Sequence, residues 1–170
     1  MRVVRADEGD LPAITEIYND AVLHTTATFD TEPRSIAEQS VWFAEHTGPY
    51  PVFAAKQSQG KLVGWASLSP WSARKAYSIT AETSIYVADG FRQAGIGWQL
   101  MEEVMRFSFG EPRLHTLIAR IAGDNQASVT LHKRAGFDLI GTMREVGYKF
   151  GRFVDVQLYQ VILSRNRFGF

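Results

Sequence analysis

Apolar residues recur at helical spacing from Leu11 through Ile14, Ile17, Tyr18, Ala21 and Val22, one side of a 3.6-residue period. Asp10 ahead of them, with Pro12 just inside, reads as the helix start. Val3-Val4-Arg5 forms a short first strand ended by Asp7, and His24 to Phe29 breaks the period as a loop or short extended segment. A second helix is predicted from Ser35 to about Ala44, with Ser35 as cap and Glu38 at the capping-box position. The pattern then turns to strands: Pro51 to Ala55, a turn over Gln57 to Gly60, and Leu62 to Leu68, together a hairpin. Ser69 to Ala76 is punctuated like a loop, and Ile79 to Val87 is the next strand. A glycine-bearing turn leads into a helix from Gly95 to about Phe109, where Ile96, Leu100, Val104 and Phe107 make a core stripe that Met101 and Met105 widen. Leu114 to Ile121 is a strand, Gly123-Asp124-Asn125 a turn, and a helix follows to about Ala135, stopped by Gly136. Phe137 to Val146 and Phe153 to Leu163 finish as strands, joined by Gly147 to Gly151. The order (strand, two helices, three strands, helix, strand, helix, two strands) describes one mixed α/β unit over residues 1–164, with 165–170 as a short peripheral tail.

A chain of 170 residues with 45% hydrophobic content is large enough for one sizeable core. Its 18 basic and 18 acidic side chains cancel, so no basic stripe argues for nucleic acid or an anionic membrane. With no cysteine, disulfides, thiolate nucleophiles and cysteine-based zinc sites are excluded together. The polar start Met1 to Glu8 and the lack of a long apolar run point to a cytoplasmic protein rather than a secreted or membrane-spanning one. His24, His46 and His115 lie far apart without ligand spacing, so no metal is expected.

The segment Glu82 to Val87 followed by Arg92-Gln93-Ala94-Gly95-Ile96-Gly97 carries the most chemical information. A turn of this kind can aim successive backbone N–H groups into one space, and the helix behind it adds unpaired amides and a positive dipole end. Arg92 brings a full charge to the mouth of that loop. Two better-known phosphate motifs are missing: Leu100 stands where a dinucleotide fingerprint has its third glycine, and no Gly-Lys-Ser/Thr closes a nucleotide-triphosphate loop. On the residues alone, an anion cradle and an ordinary tight turn both remain open. Strand alternation puts Glu82, Ser84 and Tyr86 on one face and Ala81, Thr83, Ile85 and Val87 on the other. Glu82 is a candidate base, with a surface carboxylate or an internal ion pair as the plainer alternative.

Arg92 to Gly97 resembles the acetyl-CoA pyrophosphate loop of the GNAT N-acetyltransferase superfamily, and Asn125 to His132 with Ala135-Gly136-Phe137 is similar to its second cofactor motif. Ile17 to Val22, Thr80 to Val87 and Glu145 to Arg152 narrow the resemblance to the phosphinothricin and methionine-sulfoximine acetyltransferase branch, over residues 2–163. The resemblance implies a GNAT fold, a mixed and mostly antiparallel sheet of about seven strands flanked by about four helices. It also implies acetyl transfer from acetyl-CoA to the primary amine of a small amino-acid-like compound, within a homodimer.

In that family frame, Glu82 takes the proton of the incoming ammonium, directly or through water. The backbone of Ile85, Tyr86 and Val87 pairs with the pantetheine arm in a gap between splayed strands, and one of those amides can polarise the thioester carbonyl. Arg92, Gln93, Ala94, Gly95, Ile96, Gly97 and Trp98 hold the pyrophosphate end, and Asn125 and Ser128 contact the arm. His132 stands where many relatives carry the tyrosine that protonates the departing thiolate, and an imidazole suits that role. Asn125 also serves as an ordinary helix cap. For the acceptor, Thr26, Phe29, Trp71, Arg74 and Tyr77 are the expected wall, with Arg74 the cation for a carboxylate. Some methionine-sulfoximine enzymes carry arginine where this chain has Ser72 and Ser78, a departure that bears on the herbicide-like substrates. No Gly-x-Ser-x-Gly elbow surrounds Ser67 or Ser69, so direct transfer in a ternary complex is favoured over an acyl-enzyme. The competing readings are acetylation of a protein terminus or lysine, and an acetyl-CoA sensor without turnover.

Overall fold

The computed structural model describes residues 1–165, so all but the first residue of the expected tail lies outside the described residues. In chain order the elements are β1 (Arg2–Arg5), α1 (Leu11–His24), α2 (Ile36–Ala44), β2 (Val52–Lys56), β3 (Leu62–Pro70), β4 (Thr80–Val87), α3 (Ile96–Gly110), β5 (Thr116–Ala122), α4 (Gln126–Arg134), β6 (Asp138–Lys149) and β7 (Arg152–Ile162). Short 3-10 turns occupy Glu8–Asp10, Lys75–Tyr77 and Leu163–Arg165. The strands form one sheet in the order β1-β2-β3-β4-β5-β7-β6, and β4 with β5 is its one parallel pair.

Local chemistry explains most boundaries. The Ser35 hydroxyl accepts from the Glu38 N–H, and the Glu38 carboxylate accepts from the Ser35 N–H at 2.8 Å, which closes the capping box of α2. α1 starts where expected, with Asp10 as the N-cap residue and Pro12 in its first turn, but the Asp10 side chain makes no capping bond to α1. Asp7 caps the preceding 3-10 turn by accepting from the Gly9 N–H at 2.9 Å, while Asp10 accepts from the Asp7 N–H and pairs with Lys56 Nζ at 2.7 Å. Two strands also run further than their patterns suggest. β3 includes Ser69 and Pro70, opposite Glu82 and Ala81. Proline fits there because its neighbour Trp71, not Pro70, donates across to Thr80 O at 3.3 Å. β6 continues through Gly147, Tyr148 and Lys149, leaving Phe150 and Gly151 as the turn, both at positive φ as a two-residue hairpin requires.

The sheet is covered on both faces. On one, Leu100, Met101, Val104 and Met105 of α3 are fully buried with Val63, Leu68 and Leu117, and Val129 of α4 joins them. On the other, Ile14, Ile17, Tyr18 and Val22 of α1 pack on Val52, Ala54 and Trp65, with Trp42 of α2 alongside. Each fully buried side chain of this kind contributes roughly 1.5–3 kcal/mol. Because Tyr86 belongs to the second cluster, strand alternation sets Glu82 and Ser84 on the α1/α2 face as well.

One irregularity positions the site. β3 and β4 stay paired up to Gly64 opposite Val87, but β4 and β5 pair only at Thr80 with Thr116, Ala81 with Leu117 and Glu82 with Ile118. Beyond Glu82 the two strands part, and the β5 side of β4 from Thr83 to Val87 is without a strand partner among the described residues.

Candidate active site

The direction of the β4 backbone decides what lines this parting. Thr80 O accepts from Trp71 and the Ala88 N–H donates to Val63 O, so the even-numbered residues turn their amides toward β3. Thr83, Ile85 and Val87 therefore present theirs to the gap, since amide direction alternates along a strand. The Tyr86 backbone, expected to pair with a ligand, is engaged with β3 instead; its ring lies 4.7 Å from Trp65 and 5.3 Å from Tyr18. Burial, and then the neighbouring Tyr18, push the Tyr86 hydroxyl pKa upward. Tyr18 is pushed up to about 12 by burial and by donating to Asp30 at 2.6 Å, so both phenols stay protonated at neutral pH.

The gap opens toward the start of α3. Gly95 precedes the helix at φ 78, and Gln93 also stands at positive φ, 63. A left-handed step of this kind turns consecutive amides the same way, and the first amides of a 15-residue helix have no intrahelical acceptor. A Cβ on Gly97 would make only ordinary contacts, 3.6 Å from Leu131 and 4.0 Å from Val87. Arg92 is at the mouth but tied down: it reaches Asp20 and Asp89 at 3.4 Å each, and its Nε donates to Val87 O at 3.4 Å. These exposed pairs are weak and can be exchanged for a phosphate. A cleft of about 1220 Å³ joins these parts; its walls include Ile85, Tyr86, Val87, Arg92, Gln93, Gly95, Gly97, Trp98, Asn125, Ser128 and His132. Ala94 is not on that wall, and Ile96 turns its side chain into the core, so only backbone is available from either. The left-handed turn at the start of α3 and the free strand edge, joined by one cleft, fit the pyrophosphate and arm of acetyl-CoA.

Glu82 lies on the same cleft, where β4 and β5 part. Its two carboxylate oxygens accept from Arg120 Nε and Nη2, each at 2.6 Å. The ion pair anticipated as the plainer reading is thus present, and it stands inside the cleft. Arg120 follows Ile118 by two residues on β5, which places it on the Glu82 face across the parting. Its guanidinium carbon lies 5.6 Å from the Trp71 ring centroid, and the bond to Glu82 raises its pKa further.

On the opposite face of the same fork, His132 is 4% exposed. Its Nδ1 lies 2.8 Å from Ser128 O, which can only accept, so the ring proton is on Nδ1. Nε2 then accepts from the Thr83 hydroxyl at 3.2 Å, a proton that Ile118 O at 3.4 Å also attracts. Burial lowers the His132 pKa to about 4, against a smaller opposing effect of the bond to Ser128. At neutral pH the imidazole is therefore neutral, with its proton on Nδ1 toward Ser128 O and its bare Nε2 toward Thr83 at the strand fork. The Asn125 side chain accepts from the Ser128 N–H at 3.1 Å, so the cap role is real.

Of the expected acceptor wall, Thr26 and Phe29 line the cleft, whereas Trp71, Arg74 and Tyr77 do not. Trp71 still reaches the site through Arg120; Arg74 is exposed on the loop, its N–H donating to the Ser72 hydroxyl. Thr26 donates to Asp124, which also binds Arg152, and the buried Lys149 donates to Thr28 O at 2.7 Å. These contacts tie the α1–α2 loop to the β5–α4 turn and the β6–β7 hairpin, and Thr26, Thr28, Asp124 and Arg152 share the cleft wall with Glu82. Arg120 was missed in the sequence, although a single charge inside the apolar run Thr116 to Ala122 marks it out. Asp124 carries no comparable signal, and Thr83 and Arg152 lie in segments that carry the resemblance without a role assigned to either. Among the described residues, no group of three or more His, Asp or Glu side chains gathers as a metal site, and no helix is long and apolar enough to cross a membrane.

Comparison with known proteins agrees with this geometry. The acetyltransferase (GNAT) domain family matches residues 3–158. The chain is 42% identical over 156 residues to the phosphinothricin N-acetyltransferase of Streptomyces coelicolor, spanning 90% of this chain and 91% of that one. It is 38% identical over 163 residues to the L-methionine sulfoximine/L-methionine sulfone acetyltransferase of Pseudomonas paraeruginosa, spanning 95% and 94%. Its fold matches the crystal structure of a GNAT superfamily phosphinothricin acetyltransferase from Sinorhizobium meliloti in complex with AcCoA at TM-score 0.91 and 35% identity, covering 95% of this chain and 87% of that one. The strand fork, the glycine turn and a family match running through both make this chain a member of the GNAT family, an acetyl-CoA-dependent N-acetyltransferase.

Proposed function

We propose that the chain acetylates the primary amine of a small amino-acid-like acceptor, of the phosphinothricin or methionine sulfoximine/sulfone type, by direct attack in a ternary complex. One observation carries the reading: a single cleft joins the glycine turn of α3 to Glu82 through the bare edge of β4. Donor and acceptor can then approach one another from opposite faces of the sheet, and orientation supplies much of the rate.

Each residue has a defined task. The amides of Gly95 to Trp98 and the Arg92 guanidinium hold the diphosphate, and the gap-facing amides of Ile85 and Val87 hold the arm as an added strand would. The Thr83 or Ile85 amide stands nearest the fork and supports the developing oxyanion. Glu82 accepts a proton from the acceptor's ammonium, directly or through one water, which frees the lone pair that attacks the acetyl carbon. His132 fixes the Thr83 hydroxyl at the fork; as the C–S bond breaks, the leaving thiolate takes, through water, the second proton that the attacking nitrogen loses on becoming an amide.

The decisive measurement is release of free CoA from acetyl-CoA with methionine sulfoximine, methionine sulfone and phosphinothricin as acceptors. Turnover above the acceptor-free rate is expected for at least one. No release with any of the three overturns the proposal. The reading includes a homodimer: Leu139, Ile140, Tyr148, Phe150 and Phe153 of the β6–β7 hairpin are all exposed apolar side chains at the sheet edge, a surface that favours a partner. A monomer mass by light scattering would remove that part.

A further inference from the structure

We propose that the Glu82–Arg120 ion pair is the receptor for a zwitterion, and that Arg120 selects acceptors bearing an α-carboxylate beside the reacting amine. The inference rests on the proposed small-amine acetylation and adds the residue that discriminates among amines.

The geometry is specific. Glu82 occupies the Nε and Nη2 edge of the guanidinium, at 2.6 Å to each nitrogen. That leaves both N–H bonds of Nη1 and the outer N–H of Nη2, a second edge of the same fork shape, which matches another carboxylate. Glu82 is the sheltered member, with its side chain 16% exposed, and Arg120 the open one at 55%. The Trp71 ring flanks the guanidinium, its centroid 5.6 Å from the guanidinium carbon.

Charge accounting points the same way. The other arginines on the cleft wall are Arg34, Arg92 and Arg152, paired with Asp30, Asp20 and Asp124. Arg120 alone among these four is bonded to the candidate base. An adjacent carboxylate and guanidinium form a neutral, strongly dipolar pair, and an α-amino acid is its complement. The ammonium faces Glu82 while the carboxylate takes the free edge of Arg120. A plain amine would bring a lone positive charge beside Arg120, and a carboxamide would lose the charge-assisted pair. Arg74, expected from the sequence to anchor the carboxylate, lies off the cleft wall.

The test compares L-methionine sulfone and phosphinothricin, each beside its α-carboxamide, in the native enzyme and in Arg120→Gln and Arg120→Lys. The native enzyme should prefer the free acids in kcat/KM by on the order of tenfold to a hundredfold. Arg120→Gln should bring that ratio near one, and Arg120→Lys should keep part of it. An unchanged acetyl-CoA Kd shows that each variant is folded. A native enzyme indifferent to the carboxylate, or a ratio that survives Arg120→Gln, overturns the inference while leaving acetylation intact. No turnover of either acid by the native enzyme overturns the functional reading and this inference together.

Discussion

Glu82 and Arg120 meet through two 2.6 Å hydrogen bonds where β4 and β5 stop pairing, so the candidate base is held at the fork by a residue from the strand it parts from. The bond spans the two edges and holds the carboxylate on the α1/α2 face, on the wall of the cleft. In the proposed reading, the amine reaches Glu82 from the α1/α2 side.

Glu82→Gln keeps a group that can bond Arg120 but cannot hold the amine's proton. Acetyl-CoA affinity measured by calorimetry should be unchanged, while kcat near neutral pH falls on the order of 10²–10⁴-fold. The deficit should shrink as pH rises toward the acceptor's own amine pKa, because free amine then needs no base. A deficit constant with pH would reject the assignment.

Gly95 stands at φ 78 with nothing within 4 Å of where a Cβ would point. Gly95→Asn tolerates that backbone and adds no charge, so acetyl-CoA should still bind within a few-fold. Gly95→Asp adds a negative charge beside the diphosphate and should weaken binding tenfold or more. Equal dissociation constants for the two variants would count against the turn as the phosphate site.

A Cβ on Gly147 would lie 2.0 Å from Phe29 Cε2, so Gly147→Ala must displace the Phe29 ring that lines the cleft. Overpacking of this kind costs about 1–3 kcal/mol. Acceptor KM should rise with acetyl-CoA KM unaltered, and adding Phe29→Ala should recover the lost thermal stability. A double variant no more stable than Gly147→Ala would show that the two residues are uncoupled.

His132 is neutral in the fold, with its pKa lowered from 6.5 to about 4. Between those values the unfolded chain binds more protons than the native one, so stability is complete above pH 6.5 and falls as pH drops toward 4. The full loss is about 3 kcal/mol. Denaturant titrations of the native chain and His132→Gln across that window should show a shallower pH slope in the variant. Parallel slopes would mean that His132 is not the titrating group.

Much of this protein was legible in its residues. The helical period from Leu11 to Val22, the Ser35–Glu38 box and the alternation of β4 are local rules, and local rules act within a few residues of sequence. They supplied the element order, the strand face that Glu82 shares with Ser84 and Tyr86, and the turn that precedes α3. Even Arg120 left a trace as a charge in an apolar strand.

The fork itself was another matter. Whether β5 follows β4 for three residue pairs or for its whole length depends on the packing of other strands and helices around it, and no single segment encodes that choice. The same holds for side-chain partners: Arg120 chose Glu82 and Thr83 found His132 because distant strands and a helix were packed together. Burial likewise decided that the His132 imidazole is neutral, since desolvation is a property of surroundings rather than of residue type. Arg74 and Arg120 are equally cationic in the sequence; only the folded sheet put one on an exposed loop and the other against the base.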